Sequence, residues 1–248
     1  MWNFEEGEVL AFDKPLHWTS FDLVAKVRAK LCHLLGRKKL KVGHSGTLDP
    51  LATGVVIICT GKKTKLIESL QYDVKEYVAT LQLGATTPSY DLEKPVDATY
   101  PTAHITRELI DRTIPQFVGE LWQVPPMFSA VQINGKRAYE FARKGETVEL
   151  KPKLLLIDEI EVLAFDAATM QLTIRVVCSK GTYIRALARD IGERLQSGAH
   201  LIALRRTRVG NTRVEDCMTI EQFLNRLQTT NDKRPEYVQI KRYEALPV

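Results

Sequence analysis

The sequence predicts an α+β domain with a substantial mixed or antiparallel central sheet flanked by helices. Three observations lead there. Stretches with the two-residue period of strands intermix with stretches of helical period, and no regular strand–helix–strand alternation sets in. No internal repeat is present. At 248 residues the chain fits one large domain, or one domain plus a small appendage.

Taken in order, Val9 to Phe12 reads as a short strand ending in Asp13-Lys14-Pro15. Thr19 or Ser20 then caps a helix whose apolar positions Phe21, Val24, Val27, Leu31 and Leu34 recur at helical spacing, and Gly36 closes it. A glycine-rich loop leads into a buried-type strand, Val55 to Cys59, followed by a short helix near Thr64 to Leu70. Tyr77, Ala79, Leu81 and Leu83 alternate with Val78, Thr80 and Gln82 as a half-buried strand does. Gly84 to Pro101 is turn-rich, and a helix is expected over Thr106 to Phe117. Trp122 to Pro152 reads as an excursion from the core, with Pro125-Pro126, an Asn134-Gly135 turn signal and a short amphipathic run from Arg137 to Lys144. Strands resume at Leu154 to Leu163 and Met170 to Cys178, the second with Met170, Leu172, Ile174 and Val176 on one face. Ile184, Leu187, Ile191 and Leu195 mark a helix over Tyr183 to Leu195 that Gly198 is expected to end. Leu201 to Val209 predicts a strand, and Thr219-x-x-Gln222 a capping box for a last helix.

Composition narrows the function classes. No stretch approaches the roughly 18 uncharged apolar residues of a membrane span, and the acidic start Met1-Trp2-Asn3-Phe4-Glu5-Glu6 lacks the regions of a signal peptide. The expected location is the cytoplasm, with no membrane partner. Cys32, Cys59, Cys178 and Cys217 are widely spaced, which indicates neither a disulfide framework nor a zinc site. A net charge of +5 hints only mildly at a polyanion, but its distribution says more. Basic clusters stand at Arg37-Lys38-Lys39-Leu40-Lys41, Lys62-Lys63-Thr64-Lys65, Arg143-Lys144 and Arg205-Arg206-Thr207-Arg208. Two of them flank the glycine-rich loop, where a phosphate backbone beside an active site needs cations.

That loop, Gly43-His44-Ser45-Gly46-Thr47-Leu48-Asp49-Pro50-Leu51-Ala52-Thr53-Gly54, holds one carboxylate, Asp49, which Pro50 keeps out of the helical region. An Asp-Pro pair in such a loop is also compatible with a simple Asx-type turn. The whole string decides between these readings, because it closely resembles the active-site motif of the TruB family, the tRNA pseudouridine-55 synthases. Asp13-Lys14-Pro15, Pro126-Met127-Phe128-Ser129-Ala130, Gly135-Lys136-Arg137-Ala138-Tyr139-Glu140 and Ser179-Lys180-Gly181-Thr182-Tyr183-Ile184-Arg185 resemble TruB segments in the expected order. Together the similarity covers most of residues 8 to 227.

The resemblance implies a pseudouridine synthase fold over residues 1–227, with a thumb-loop insertion at about 123–153 that closes over the T-arm of tRNA. It implies Asp49 as the nucleophile, attacking C1′ or C6, and Arg185 as the charge partner that keeps it ionised. Tyr77 is implied as the aromatic that stacks on the target base and manages the C5 proton. Tyr183 and Leu204 are implied to line the uridine pocket, and His44 to help displace the target nucleotide from the T-loop. Lys62, Lys63, Lys65, Arg143 and Arg205 are the expected contacts to the RNA backbone. Isomerisation involves neither oxidation nor net hydrolysis, so no cofactor and no metal are expected. The protein is expected to act as a monomer without an obligate protein partner.

Two features depart from the family pattern. Thr86-Thr87-Pro88-Ser89-Tyr90-Asp91 replaces a more Asp-rich run, so no site residue is assigned there. Residues 228–248 are expected to form a short tail, too small for the PUA domain that many members carry. Other classes fare worse. Gly61-Lys62-Lys63-Thr64 suggests a phosphate-binding loop, but the required upstream glycine is Val56. A silent RNA-binding module needs no carboxylate among its cations, and a nucleosidase would liberate free uracil.

Overall fold

The computed structural model describes residues 2–4, 6–133 and 135–232. The chain runs through β1 (Val9–Lys14), α1 (Ser20–Leu35), β2 (Val42–His44), β3 (Ala52–Thr60), α2 (Ile67–Leu70), β4 (Lys75–Leu83), β5 (Ala85–Thr86) and β6 (Ala98–Thr99). It continues through α3 (Arg107–Thr113), β7 (Gly119–Gln123), β8 (Gln132–Ile133), β9 (Lys136–Arg137), α4 (Ala138–Arg143), β10 (Lys153–Asp166) and β11 (Gln171–Cys178). Last come α5 (Ile184–Arg194), β12 (Ala199–Val209), β13 (Thr212–Arg213) and α6 (Ile220–Asp232).

One sheet of nine strands dominates the described residues, in the order β1-β3-β12-β4-β11-β10-β7, with β2 added to β3 and β13 to β12. All its pairs are antiparallel except β3 with β12, so the sheet is mixed as expected. The alternation along β4 puts Tyr77, Ala79, Leu81 and Leu83 into the core beside Leu172, Ile174 and Val176 of β11. Apolar residues of α1 and α5 pack onto the same core.

Several local expectations hold in detail. Thr19 caps α1 through a capping box with Asp22, and Gly36 closes that helix in the left-handed conformation. Thr219 and Gln222 exchange the bonds of the box that starts α6. Other expectations are corrected. Phe21 is 64% exposed, because it lies about 100° around the helix from Ser20, on the edge of the buried face made by Ser20, Leu23, Val24, Val27, Leu31 and Leu34. The helix expected over Thr106 to Phe117 tightens into a 3₁₀ turn from Ile114, where Pro115 has no N–H for an α-helical bond. After α5 the chain reverses at Gln196, not at Gly198. Gly198 instead allows Tyr100 and Thr86 to pack where a Cβ would stand.

The largest correction concerns Gly119–Gln123, whose last two residues, Trp122 and Gln123, were expected to open the excursion. These residues form β7, an edge strand in register with Lys153–Ile157 of β10. The excursion proper begins after Gln123 and carries the small β8–β9 hairpin and α4. Asn134 and residues 233–248, most of the expected tail, lie outside the described residues.

Parallel pairing of β3 with β12 sets Ala52 opposite Leu204 and Gly54 opposite Arg206. Gly54 has φ +110° and lies so close to the Arg206 backbone that any side chain there would collide with it. The glycine-rich loop is thus pressed against the middle of β12.

Candidate active site

The loop between β2 and β3 is fixed along its length by backbone and buried side-chain contacts. The Ser45 N–H donates to the Ile57 carbonyl (3.0 Å), and the Ala52 N–H to the Asp49 carbonyl (3.0 Å). Ser20, at the start of α1, both accepts from the Leu48 N–H (2.8 Å) and donates to the Leu48 carbonyl (3.2 Å). Arg206 is almost fully buried and donates to the carbonyls of Val55 (2.7 Å), Gly46 (3.2 Å) and Thr47 (3.3 Å). A guanidinium spread over three carbonyls staples the loop to β12 and also faces the Tyr77 phenol. Asp49 is held at the end of this clamped segment.

Arg185 sits in the first turn of α5, with Tyr183 capping that helix. Its Nε lies 2.9 Å from Oδ2 of Asp49 and 3.6 Å from Oδ2 of Asp91. Its terminal nitrogens donate to the carbonyls of Ser89 (3.3 Å) and Phe128 (2.9 Å). The Arg185 side chain is 6% exposed, and that of Asp49 is 36% exposed. One carboxylate is therefore oriented by a buried cation while an oxygen still faces outward. Asp49, Arg185 and Leu204 line one cavity of about 150 Å³, together with Asp91, His17 and Leu92.

Tyr77 and Tyr183 stand close enough to Asp49 to feel its charge, but neither they nor His44 line the cavity itself. Tyr77 lies buried on β4, and burial pushes its phenol pKa up against the opposing pull of Arg206, so the hydroxyl stays protonated at neutral pH. Tyr183 is held by a reciprocal pair with Gln123: its N–H donates to Oε1 (2.9 Å), and Nε2 donates to its carbonyl (3.2 Å). Burial raises the Tyr183 phenol too, with a hydrogen bond to Ser129 acting the other way. His44 has its pKa lowered by burial, against a backbone hydrogen bond to Gly46, and its Nδ1 is buried without a partner among the described residues. A neutral imidazole suits binding better than proton delivery.

Of the basic residues, Lys62 pairs with Glu6 (2.7 Å), and Lys63 and Lys65 are exposed on the same 3₁₀ turn. Arg143 stacks over the Tyr139 ring (5.1 Å) in α4, and Arg205 is paired with Asp13 (2.8 Å). Lys62 and Arg205 thus already have carboxylate partners within the protein. Among the described residues no group of three or more His, Cys, Asp or Glu side chains is placed to hold a metal.

Sequence reasoning missed Asp91, Arg206, Gln123 and Lys14. Asp91 lies in the turn from which no residue was assigned, and Gln123 at the junction of β7 with the excursion. Lys14 is fully buried, donating to the carbonyls of Pro15 (2.9 Å) and Trp18 (2.6 Å). Burial lowers its pKa to about 8 from 10.5, partly offset by the charge of Asp49. Between those values the unfolded chain holds a proton that the folded chain has released, so raising the pH favours the fold. Stability is therefore expected to climb by about 3 kcal/mol from pH 8 to 10.5 through this group. Denaturant titrations of the parent and Lys14→Met at both ends of the window measure the difference. Equal pH slopes for the two would mean that Lys14 ionises normally.

Comparisons with known proteins bear on this arrangement. The N-terminal domain model of the TruB family pseudouridylate synthases matches residues 33–184. The C-terminal domain model of tRNA pseudouridylate synthase B matches residues 185–243. The tRNA pseudouridine synthase B of Phocaeicola vulgatus is 67% identical over 221 residues, covering 89% of this chain and 93% of that protein. That of Bacteroides thetaiotaomicron is 65% identical over 236 residues, covering 93% and 98%. A chain of an H/ACA RNP bound to a substrate RNA containing 2′-deoxyuridine superposes with a TM-score of 0.65 at 27% identity. The match takes in 94% of this chain but spans only 57% of that longer one.

Proposed function

Given that the chain belongs to the TruB family of pseudouridylate synthases and is an isomerase, we propose that it converts uridine-55 in the tRNA T-loop to pseudouridine with Asp49 as nucleophile. One observation carries the residue assignment: the Asp49 carboxylate, clamped in a rigid loop and paired at 2.9 Å with a buried arginine, opens onto a largely aliphatic cavity. Arg185 holds Asp49 ionised and aimed. His44 contacts the RNA as the nucleotide leaves the T-loop stack. Tyr77 stacks on the uracil, and Tyr183 and Leu204 bound its pocket.

Asp49 attacks C1′ or C6 of the uridine. The N1–C1′ bond breaks, the base turns over, a C5–C1′ bond forms, and the bond to Asp49 breaks to give back the carboxylate. The C5 proton is lost and N1 gains one, so atoms and charge balance without redox chemistry. The excursion after Gln123 is the thumb that closes over the T-arm, with Arg143 on its short helix. Residues 1–227 act as the catalytic domain, and the protein works in the cytoplasm as a monomer.

The test uses tRNA transcripts labelled with tritium at uridine C5. The enzyme releases one tritium per tRNA, leaves tRNA mass unchanged after exchange, and moves position 55 from uridine to pseudouridine in a digest. Free uracil among the products would indicate a hydrolase instead.

Lys62, Lys63 and Lys65 supply part of the RNA grip. Replacing all three by Gln is expected to weaken binding and flatten the log–log salt dependence by about 0.7–0.9 per lost phosphate contact. Because Lys62 is shared with Glu6, the loss should be nearer two contacts than three. Filter binding across a salt series measures the slope, and an unaltered slope would place these lysines away from RNA.

A further inference from the structure

We infer that His17 is a substrate-binding residue, whose imidazole hydrogen-bonds the ribose-phosphate backbone of the nucleotide seated over Asp49. The inference rests on the RNA-modifying reading above. His17 has φ +65°, a left-handed backbone that non-glycine residues seldom adopt. Its N–H donates to the carbonyl of Pro50 (2.8 Å), the residue after the nucleophile, which ties the turn following β1 to the active-site loop. That tether uses only main-chain atoms, and a glycine could make it with less strain. The side chain has no part in it.

His17 also lines the cavity that contains Asp49 and Arg185. Four polar residues line that cavity: Asp49, Asp91, Arg185 and His17. The first three are committed to one another, and Arg185 also to two carbonyls. No protein group hydrogen-bonds the His17 imidazole among the described residues, and the residue is exposed at the cavity mouth beside exposed Leu16. The rest of the lining is aliphatic, including Leu51, Leu92 and Leu204. A base and ribose can enter such a cavity, but a phosphate cannot shed its water against aliphatic walls without a donor. The backbone of a flipped nucleotide therefore crosses the mouth, where His17 is the uncommitted donor.

The test compares His17→Gly, His17→Asn and His17→Gln by filter binding of unmodified tRNA transcript, tritium-release kinetics and thermal melting. His17→Gly is expected to raise Kd and KM at least threefold, to lower kcat by a smaller factor, and to melt no lower than the parent. A side chain that only shapes the fold would move Tm and leave Kd alone. Asn and Gln place an amide N–H near the Nδ1 and Nε2 positions of the ring, so at least one of them recovers most of the affinity. Parental Kd and KM in His17→Gly, or recovery by neither amide, would overturn the inference. If the parent enzyme itself released no tritium, the RNA-modifying reading would fall instead, and the inference with it.

Discussion

Asp49→Asn is expected to retain tRNA binding while losing tritium release by roughly 10⁴-fold or more, as removal of a nucleophile does in other covalent catalysts. The amide fills the same space but has no lone-pair charge with which to attack carbon. The loop should remain in place, because Arg206, Ser20 and the Ile57 carbonyl hold it through groups other than the Asp49 carboxylate. Arg185 would also keep Asp91 as counter-ion. Stability should therefore change little, and a Tm close to the parent's would show that lost rate is lost chemistry. Release at the parental rate from the purified variant would falsify the nucleophile assignment outright.

Arg185→Met is expected to damage both stability and rate. Removing a buried cation strands Asp91, and to a lesser degree the more exposed Asp49, without a counter-charge. Breaking a buried pair in this way costs about 3–5 kcal/mol, or roughly 10 °C in Tm for a chain of this size. The carbonyls of Ser89 and Phe128 lose their donors as well. Adding Asp91→Asn should recover part of the lost stability, since it removes one uncompensated carboxylate, yet leave the enzyme slow because Asp49 remains unaimed. Arg185→Lys keeps the charge but cannot reach four acceptors from a single ammonium; its rate should fall by about 10²-fold. Melting curves and single-turnover rates on the four proteins measure these effects. A parental Tm and rate in Arg185→Met would remove Arg185 from the mechanism altogether.

Much of the fold is legible along the chain, and the reasons are local. The alternation from Tyr77 to Leu83 and the Thr19 and Thr219 capping boxes are set by residues within one or two turns of each other, so they hold in the structure. Where partners are remote, sequence reasoning fails. Gly119–Gln123 is too short to declare itself a strand, and only its register with Lys153–Ile157 makes it one. Phe21 fits an apolar spacing, but the packing of α1 turned its face toward solvent. The turn at Ser89–Asp91 carries no periodic signal, yet it delivers both a carboxylate and a carbonyl to Arg185.

Asp49, the proposed reacting group, is legible in the primary structure through the resemblance of its whole twelve-residue loop to the TruB active-site motif. What the sequence could not say is how the charges near that acid are balanced. Asp91 lies 94 positions before Arg185, and Arg206 reaches back 160 residues to the carbonyl of Gly46. Buried charge is tolerable only where donors and acceptors meet at hydrogen-bond distance, and the pairing of β3 with β12 brings them there. The chain singles out Asp49; the folded sheet supplies the charges and the cavity around it.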